Sequence, residues 1–250
     1  MDKIILGPCS LESLAISREI LDVVYPLVSD KEFYFKASFD KANRTSIHSE
    51  RGLGLKKSID IFKELKNLYP NLKITTDVHT TEEIKELSDS NVVDLVQIPA
   101  FLCRQTDLLY FAAINFNKVN VKKGQWLSPD KVKYIVEKIK YANTETEVWI
   151  TERGTSFGYN KLLVDFDAVD TLKSYADQVI LDCTHSTQKT NQHDYTSGNP
   201  ELGKKYIQVA DTFGYDGIFA EVHPRPHQAL SDKESLINLD WITKNLNKIV

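Results

Sequence analysis

With 250 residues, 42% of them hydrophobic and 26% charged, the chain can bury one large core or two small ones. A formal charge of −4 excludes a general nucleic-acid binder, whose footprint is a net basic surface. No run approaches the roughly 18 consecutive apolar residues of a membrane span. Met1-Asp2-Lys3 leads straight into Ile4-Ile5-Leu6 with no signal-peptide layout, so a cytoplasmic location is expected. The three cysteines, Cys9, Cys103 and Cys183, are an odd number without short-range pairing, which argues against a disulfide framework and makes Cys103 and Cys183 core residues.

In chain order, short runs rich in β-branched residues alternate with stretches of helical period. A strand over Ile4 to Gly7 precedes a helix over Leu14 to Leu27. The pairs that follow are Phe33 to Ala37 with Ile59 to Leu68, Lys73 to Asp77 with Thr81 to Ser88, and Leu95 to Ile98 with Thr106 to Phe116. After the fifth strand, Val119 to Lys122, the apolar residues Val132, Ile135, Val136 and Ile139 fall at helical spacing, with Ser128 as N-cap and Pro129 as first helical residue. The last three pairs are Val148 to Glu152 with Asp167 to Ala176, Val179 to Asp182 with Glu201 to Phe213, and Gly217 to Glu221 with Leu236 to Ile249. Eight such units in this length predict a single-domain α/β fold, a (β/α)8 TIM barrel over residues 1–250. A doubly wound sheet for a dinucleotide is disfavoured, because no Gly-x-Gly-x-x-Gly turn follows the first strand.

A barrel gathers its active site at the C-terminal ends of the strands, and nearly every predicted strand ends in chemistry. In order these ends supply Cys9, Lys36, Asp77 with His79, Gln97, Lys122 with Lys123, Glu152 with Arg153, Asp182 with His185, and Glu221 with His223. The second, with its loop from Lys36 to Ser46, holds two lysines and an arginine among hydroxyl and amide side chains, a composition suited to a small polyanion. Lys36, Lys41, Lys122 and Arg153 form a cationic sector suited to a carboxylate and at least one phosphate. The seventh, eighth and first strands are neighbours after closure and bring together Cys9, His185 and Glu221, with Asp232 in the following loop. That mixed donor set suits Zn²⁺, Fe²⁺ or Mn²⁺ rather than Ca²⁺. A buried structural Cys9 and a hydrogen-bonded His185 are the alternative at this point. Asp77, His79 and Asp232 are candidates for proton traffic by position, structural hydrogen bonding being the other use of Asp77 and His79.

Several long segments carry a family resemblance: Gly7 to Ser13, Phe35 to His48, Thr76 to His79, Gln97 to Leu108, Asn120 to Gln125, Thr151 to Asn160 and Asp182 to Ser186. The chain resembles the 3-deoxy-D-manno-octulosonate 8-phosphate (KDO 8-phosphate) synthases. The resemblance implies a transferase that condenses phosphoenolpyruvate with D-arabinose 5-phosphate and water in lipopolysaccharide biosynthesis. It implies that Lys36 and Lys41 hold the phosphoenolpyruvate carboxylate, that Lys122 and Arg153 hold its phosphate, and that Asn43, Arg44 and Thr45 bind the sugar phosphate. Gln97 joins the substrate-binding set. Arg104 is similar to a residue that reaches a neighbouring subunit's site, which implies a homotetramer or at least a dimer. The family has a metal-independent branch with asparagine at the position of Cys9. Cys9 thus implies the metal-dependent branch, with His185, Glu221 and Asp232 as the other ligands.

Two features depart from the pattern. The loop from Gln188 to Tyr195 lacks a Gly-rich segment, and Arg225 stands where relatives tend to carry an acid. Two rival functions are the sister enzyme that uses erythrose 4-phosphate, and a non-catalytic phosphoenolpyruvate or sugar-phosphate binder. The first reads Lys-Pro-Arg-Thr-Ser where this chain has Lys41-Ala42-Asn43-Arg44-Thr45-Ser46.

Overall fold

Eight parallel strands close on themselves in the computed structural model, which describes residues 1–42, 48–189 and 197–246. The order is β1 (Lys3–Gly7), α1 (Leu14–Val24), β2 (Glu32–Lys36), α2 (Leu55–Leu68), β3 (Lys73–Asp77), α3 (Thr81–Ser90), β4 (Leu95–Ile98), α4 (Thr106–Asn115), β5 (Lys118–Lys122), α5 (Lys133–Ala142), β6 (Glu147–Glu152), α6 (Ala168–Lys173), β7 (Gln178–Asp182), α7 (Pro200–Val209), β8 (Gly217–His223), β9 (Ile237–Asn238) and α8 (Leu239–Asn245). Each strand from β1 to β8 pairs with its successor, and β8 closes the ring onto β1 from Lys3↔Gly217 to Gly7↔Glu221. This is the (β/α)8 barrel that the alternation of strand and helix predicts.

Side chains alternate across a strand, so every second residue faces the barrel axis. Ile5, Tyr34, Leu95, Trp149, Ile180 and Phe219 form an apolar layer inside the barrel, separate from the larger core between sheet and helices. Two residues further along the same strands come Gly7, Lys36, Gln97, Thr151, Asp182 and Glu221. The functional residues at the mouth therefore sit one layer above a dry septum, in positions set by strand period alone. Gly7 is required there, since a Cβ would lie 2.0 Å from the Lys36 carbonyl oxygen.

The helix starts follow local chemistry. Thr80 and Glu83 form a capping box on α3, Asn199 caps α7 ahead of Pro200, and the Ser13 hydroxyl accepts the Ile16 N–H at 3.2 Å. Ser128 departs from its expected use: it stands at the N-cap of a short 3-10 turn, Pro129–Val132, but its hydroxyl donates to Asp130 at 2.6 Å, and α5 begins only at Lys133. The helix expected from Leu236 begins at Leu239, because Ile237 and Asn238 first pair in parallel with Val222 and His223 as β9. Its expected end falls at residues 247–250, outside the described residues. α6 and α7 are shorter than their apolar pattern suggests. Beyond Val209 the chain turns through Gly214 at φ 80°, while Phe213 stacks on Phe166.

Candidate active site

Lys36, at the end of β2, is 1% exposed. Its ammonium donates to Ser38 Oγ at 2.8 Å and lies 3.3 Å from Asp77 Oδ2. Lys41 Nζ donates to the same hydroxyl at 3.0 Å, and that hydroxyl donates to Asp77 at 2.5 Å. Burial alone raises the Asp77 carboxyl, but Lys36, Lys41 and the Ser38 hydrogen bond outweigh it and hold Asp77 well below the usual carboxylate range. Gln97 is fully engaged in this layer: its amide N–H donates to Asp77 Oδ1, and its carbonyl accepts from Asn120 at 3.1 Å, whose own carbonyl accepts the Thr151 hydroxyl at 2.7 Å. A hydrogen-bonded chain thus runs across β6, β5, β4 and β3 and ends on the acid between the two lysines.

Lys122 Nζ donates to Asp182 Oδ2 at 2.7 Å and stands 3.1 Å from the centroid of the Phe219 ring, on which Lys36 also converges at 5.6 Å. Burial pulls the Lys122 ammonium down to about 8, against the opposing attraction of Asp182. Arg153 follows β6. Its Nη2 donates to Gln188 Oε1 at 2.9 Å, while the buried Nη1 has no hydrogen-bond partner among the described residues. Arg153 and Lys122 both act as charged neighbours of Asp182, and an unpartnered buried guanidinium N–H is a donor that an oxyanion can satisfy. Lys123 and Glu152, next in sequence, face the other way and pair with each other at 3.2 Å behind the site.

On the opposite flank, Cys9, Glu221 and Asp232 each bring one potential ligand atom within 4.8 Å of the others. Cys9 Sγ lies 2.9 Å from Asp232 Oδ2 and 3.1 Å from Ser231 Oγ, either of which can accept its one proton. Burial pushes that thiol far up, and the carboxylates of Asp232 and Glu221 push it further. Glu221 is completely buried, and neither of its carboxylate oxygens has a hydrogen-bond partner among the described residues. Lys41 Nζ lies 4.0 Å and His185 Nε2 3.5 Å from its oxygens. His185 is outside the mutual 4.8 Å set but borders it, its Nδ1 being held by Asp182 Oδ2 at 2.8 Å. A buried orphan carboxylate, a thiol whose proton sits among acids, and an imidazole with one nitrogen fixed make a chemically coherent cation cradle. Burial raises Asp232, yet His185 and Lys41 keep it far below the ordinary range. Asp232 itself adopts a left-handed backbone at φ 50°, a conformation aspartate tolerates and functional sites often hold.

The remaining predicted residues fall elsewhere. His79 hydrogen-bonds Glu83 Oε2 through Nδ1 at 3.2 Å and packs edge-on against Phe39. With Asp40 and Glu83 it forms a second cluster of metal-capable atoms, but Asp40 is occupied by Arg51 and Glu83 by the α3 cap. Arg104 is exposed on the loop between β4 and α4. Asn43, Arg44 and Thr45 lie outside the described residues, as does most of the atypical Gln188 to Tyr195 loop. Arg225 makes a two-pronged pair with Glu19 at 2.7 and 2.8 Å and so does not face the cation cradle. Sequence reasoning gave no role to Ser38, Ser231, Gln188 or Asp182. Gln188 joins Arg153 to Asp232 at 2.9 and 3.4 Å, and Asp182 joins Lys122 to His185. Only the strand-end position of Asp182 could have singled one of them out.

Comparison with known proteins covers nearly the whole chain. The family description "DAHP synthetase I family" matches residues 2–249. A 2-dehydro-3-deoxyphosphooctonate aldolase of Desulfotalea psychrophila is 40% identical over 98% of this chain and 87% of its own length. Proteins of the same name from Campylobacter jejuni and Wolinella succinogenes are 39% and 40% identical, over 100% and 94% of this chain and 96% and 92% of theirs.

Proposed function

We propose, since this chain belongs to the DAHP synthetase I family, that it is a KDO 8-phosphate synthase. It condenses phosphoenolpyruvate with D-arabinose 5-phosphate and water, giving 3-deoxy-D-manno-octulosonate 8-phosphate and inorganic phosphate. The observation that carries this reading is the full-length likeness, near 40% identity, to 2-dehydro-3-deoxyphosphooctonate aldolases, another name for the same synthase. The burial of Lys36, Lys122 and Arg153 at the C-terminal ends of β2, β5 and β6 supports it.

In this reading Lys36 and Lys41 neutralise the phosphoenolpyruvate carboxylate, and Lys122 and Arg153 take its phosphate. Carbon 3 of the enol attacks the sugar aldehyde carbon, water adds at carbon 2, and the resulting tetrahedral hemiketal phosphate expels inorganic phosphate. Fixed cations favour this route because negative charge stays in place without solvent reorganisation. Asp77, ionised between two lysines, accepts hydrogen bonds and orients those ammonium groups. Asn43, Arg44 and Thr45 hold the sugar phosphate, and Arg104 of a neighbouring subunit adds to it in a homotetramer. Cys9, His185, Glu221 and Asp232 would hold a divalent ion such as Zn²⁺, Fe²⁺ or Mn²⁺, as expected of a member of the metal-dependent branch. Such an ion supplies Lewis acidity or orientation for the aldehyde or the water. In this reading residues 1–250 form a single catalytic barrel domain that works in the cytoplasm, where phosphorylated substrates are available.

Phosphate release from phosphoenolpyruvate, measured with each aldose phosphate in turn, tests the reading. Release with arabinose 5-phosphate is expected. Release with erythrose 4-phosphate alone assigns the chain to the sister activity, and tight binding without release makes it a binding protein.

A further inference from the structure

Asp182 sits at the end of β7, fully buried, between the anion-holding cations and the cation cradle. We propose that Asp182 is a positioning residue that couples the two halves of the site, so that a phosphate seated on Lys122 tightens binding of a divalent cation at His185. The inference deepens the proposed function and rests on its reading of the cation cradle.

One oxygen carries the coupling. Asp182 Oδ2 accepts from Lys122 Nζ at 2.7 Å and from the His185 ring at 2.8 Å, so a donor at the end of β5 and one in the turn after β7 share it. The other oxygen, Oδ1, is tied to the backbone N–H groups of Thr184 at 3.0 Å and His185 at 2.8 Å. With Oδ1 tethered, the carboxylate cannot follow Lys122 when that ammonium turns toward an arriving phosphate. Oδ2 then serves His185 Nδ1 alone. A stronger bond at Nδ1 fixes the ring and enriches Nε2, which faces Glu221 at 3.5 Å, as a ligand. Linkage is reciprocal, so a cation bound at Nε2 tightens phosphate by the same factor. Direct attraction between phosphate and cation acts as well, but it does not pass through Asp182, and an amide at this position separates the two.

The test uses the full chain, freed of metal by chelation and titrated calorimetrically with Co²⁺ in the absence and presence of saturating inorganic phosphate. Phosphate is expected to tighten Co²⁺ about 5- to 20-fold in the unmodified protein and less than about twofold in Asp182→Asn. In the metal-free protein, the ¹⁵N resonance of His185 Nδ1 is expected to move on adding phosphate, and to stay in place in the variant. Should Asp182→Asn not fold, Lys122→Met leaves the carboxylate and imidazole intact; it is expected to bind Co²⁺ more tightly than the parent without phosphate and to lose the phosphate effect. Equal tightening in parent and Asp182→Asn, or a resonance indifferent to phosphate, overturns the coupling and leaves the cation cradle standing. No Co²⁺ binding by the parent overturns both.

Discussion

The two ends of the barrel are lined by the same residue types, lysines and carboxylates, and use them differently. At the bottom, Glu32 gathers Lys118 at 2.8 Å, Lys73 at 3.1 Å, Lys3 at 3.9 Å and the Tyr34 hydroxyl at 2.9 Å, while Glu147 takes Lys118 and the Trp149 N–H, each at 2.8 Å. These side chains remain 20–44% exposed where they meet solvent, and both carboxylates are well supplied with donors. At the top, Lys36, Lys122, Asp182 and Glu221 are at most 6% exposed, and Glu221 and Arg153 keep atoms without hydrogen bonds among the described residues. Saturated, half-wet pairs contribute modest stability. Buried charge with open valences costs stability and is what a ligand-binding surface requires.

Breaking the top should therefore abolish chemistry and spare the fold. The largest effect is expected at the cation cradle: chelation of the protein, or Glu221→Gln, should lower turnover at least about a hundredfold. Mn²⁺ or Zn²⁺ should restore the chelated parent but not the variant. In thermal unfolding of the metal-free proteins, Glu221→Gln should match or exceed the parent, since it removes a buried charge that has no hydrogen bond among the described residues.

Lys122→Met is expected next, costing roughly ten- to a hundredfold in kcat/KM, about what one fixed charge at a phosphate contributes. Because Lys122 titrates near 8, the parent's kcat/KM should fall above that pH. A bound phosphate favours the ammonium, so the corresponding limb of kcat should lie higher. The stability consequence has the opposite sign. Folding depresses this group from 10.5 to about 8, so between those values the unfolded chain holds the extra proton, and this residue's contribution to stability rises with pH.

At the bottom the order reverses, with stability moving and activity holding. Glu32→Gln should lower the unfolding free energy by about 1–3 kcal/mol and leave turnover within about twofold. Burial raises the Glu32 carboxyl, but hydrogen bonds from Lys118, Tyr34 and Lys73 outweigh it and bring it to about 2 from 4.5. Its contribution is therefore complete above 4.5 and lost as pH falls toward 2, and denaturation curves of Glu32→Gln should lack that acid limb. The smallest effect belongs to Arg225→Ala, which removes a solvent-screened pair with Glu19 and should leave the denaturation curve almost superimposable on the parent's.

Strands were the legible part of this chain. Lys73–Asp77 and Leu95–Ile98 have the bounds read from the sequence, because short runs containing Ile, Thr and Val favour a pleated surface. Helix ends were less so. Leu236 and Ile237 continue a helical period, but pairing of Ile237 with Val222 takes precedence over local propensity. Within the site, strand period alone puts Lys36, Asp182 and Glu221 on one inner layer. The links made by Ser38, Gln188 and Asp182 were not legible, since they depend on which hydrogen bonds form between strands and loops remote in sequence. Asp182 and Lys122 are 60 residues apart, and Gln188 and Asp232 are 44 apart.

The apolar layer of Tyr34, Trp149, Phe219 and their neighbours makes the barrel a cup and not a tube. Lys36 and Lys122 rest directly on that floor, their ammonium groups 5.6 and 3.1 Å from the centroid of the Phe219 ring, so in the proposed reading the molecule docked on them is the deepest in the cup and is expected to load first.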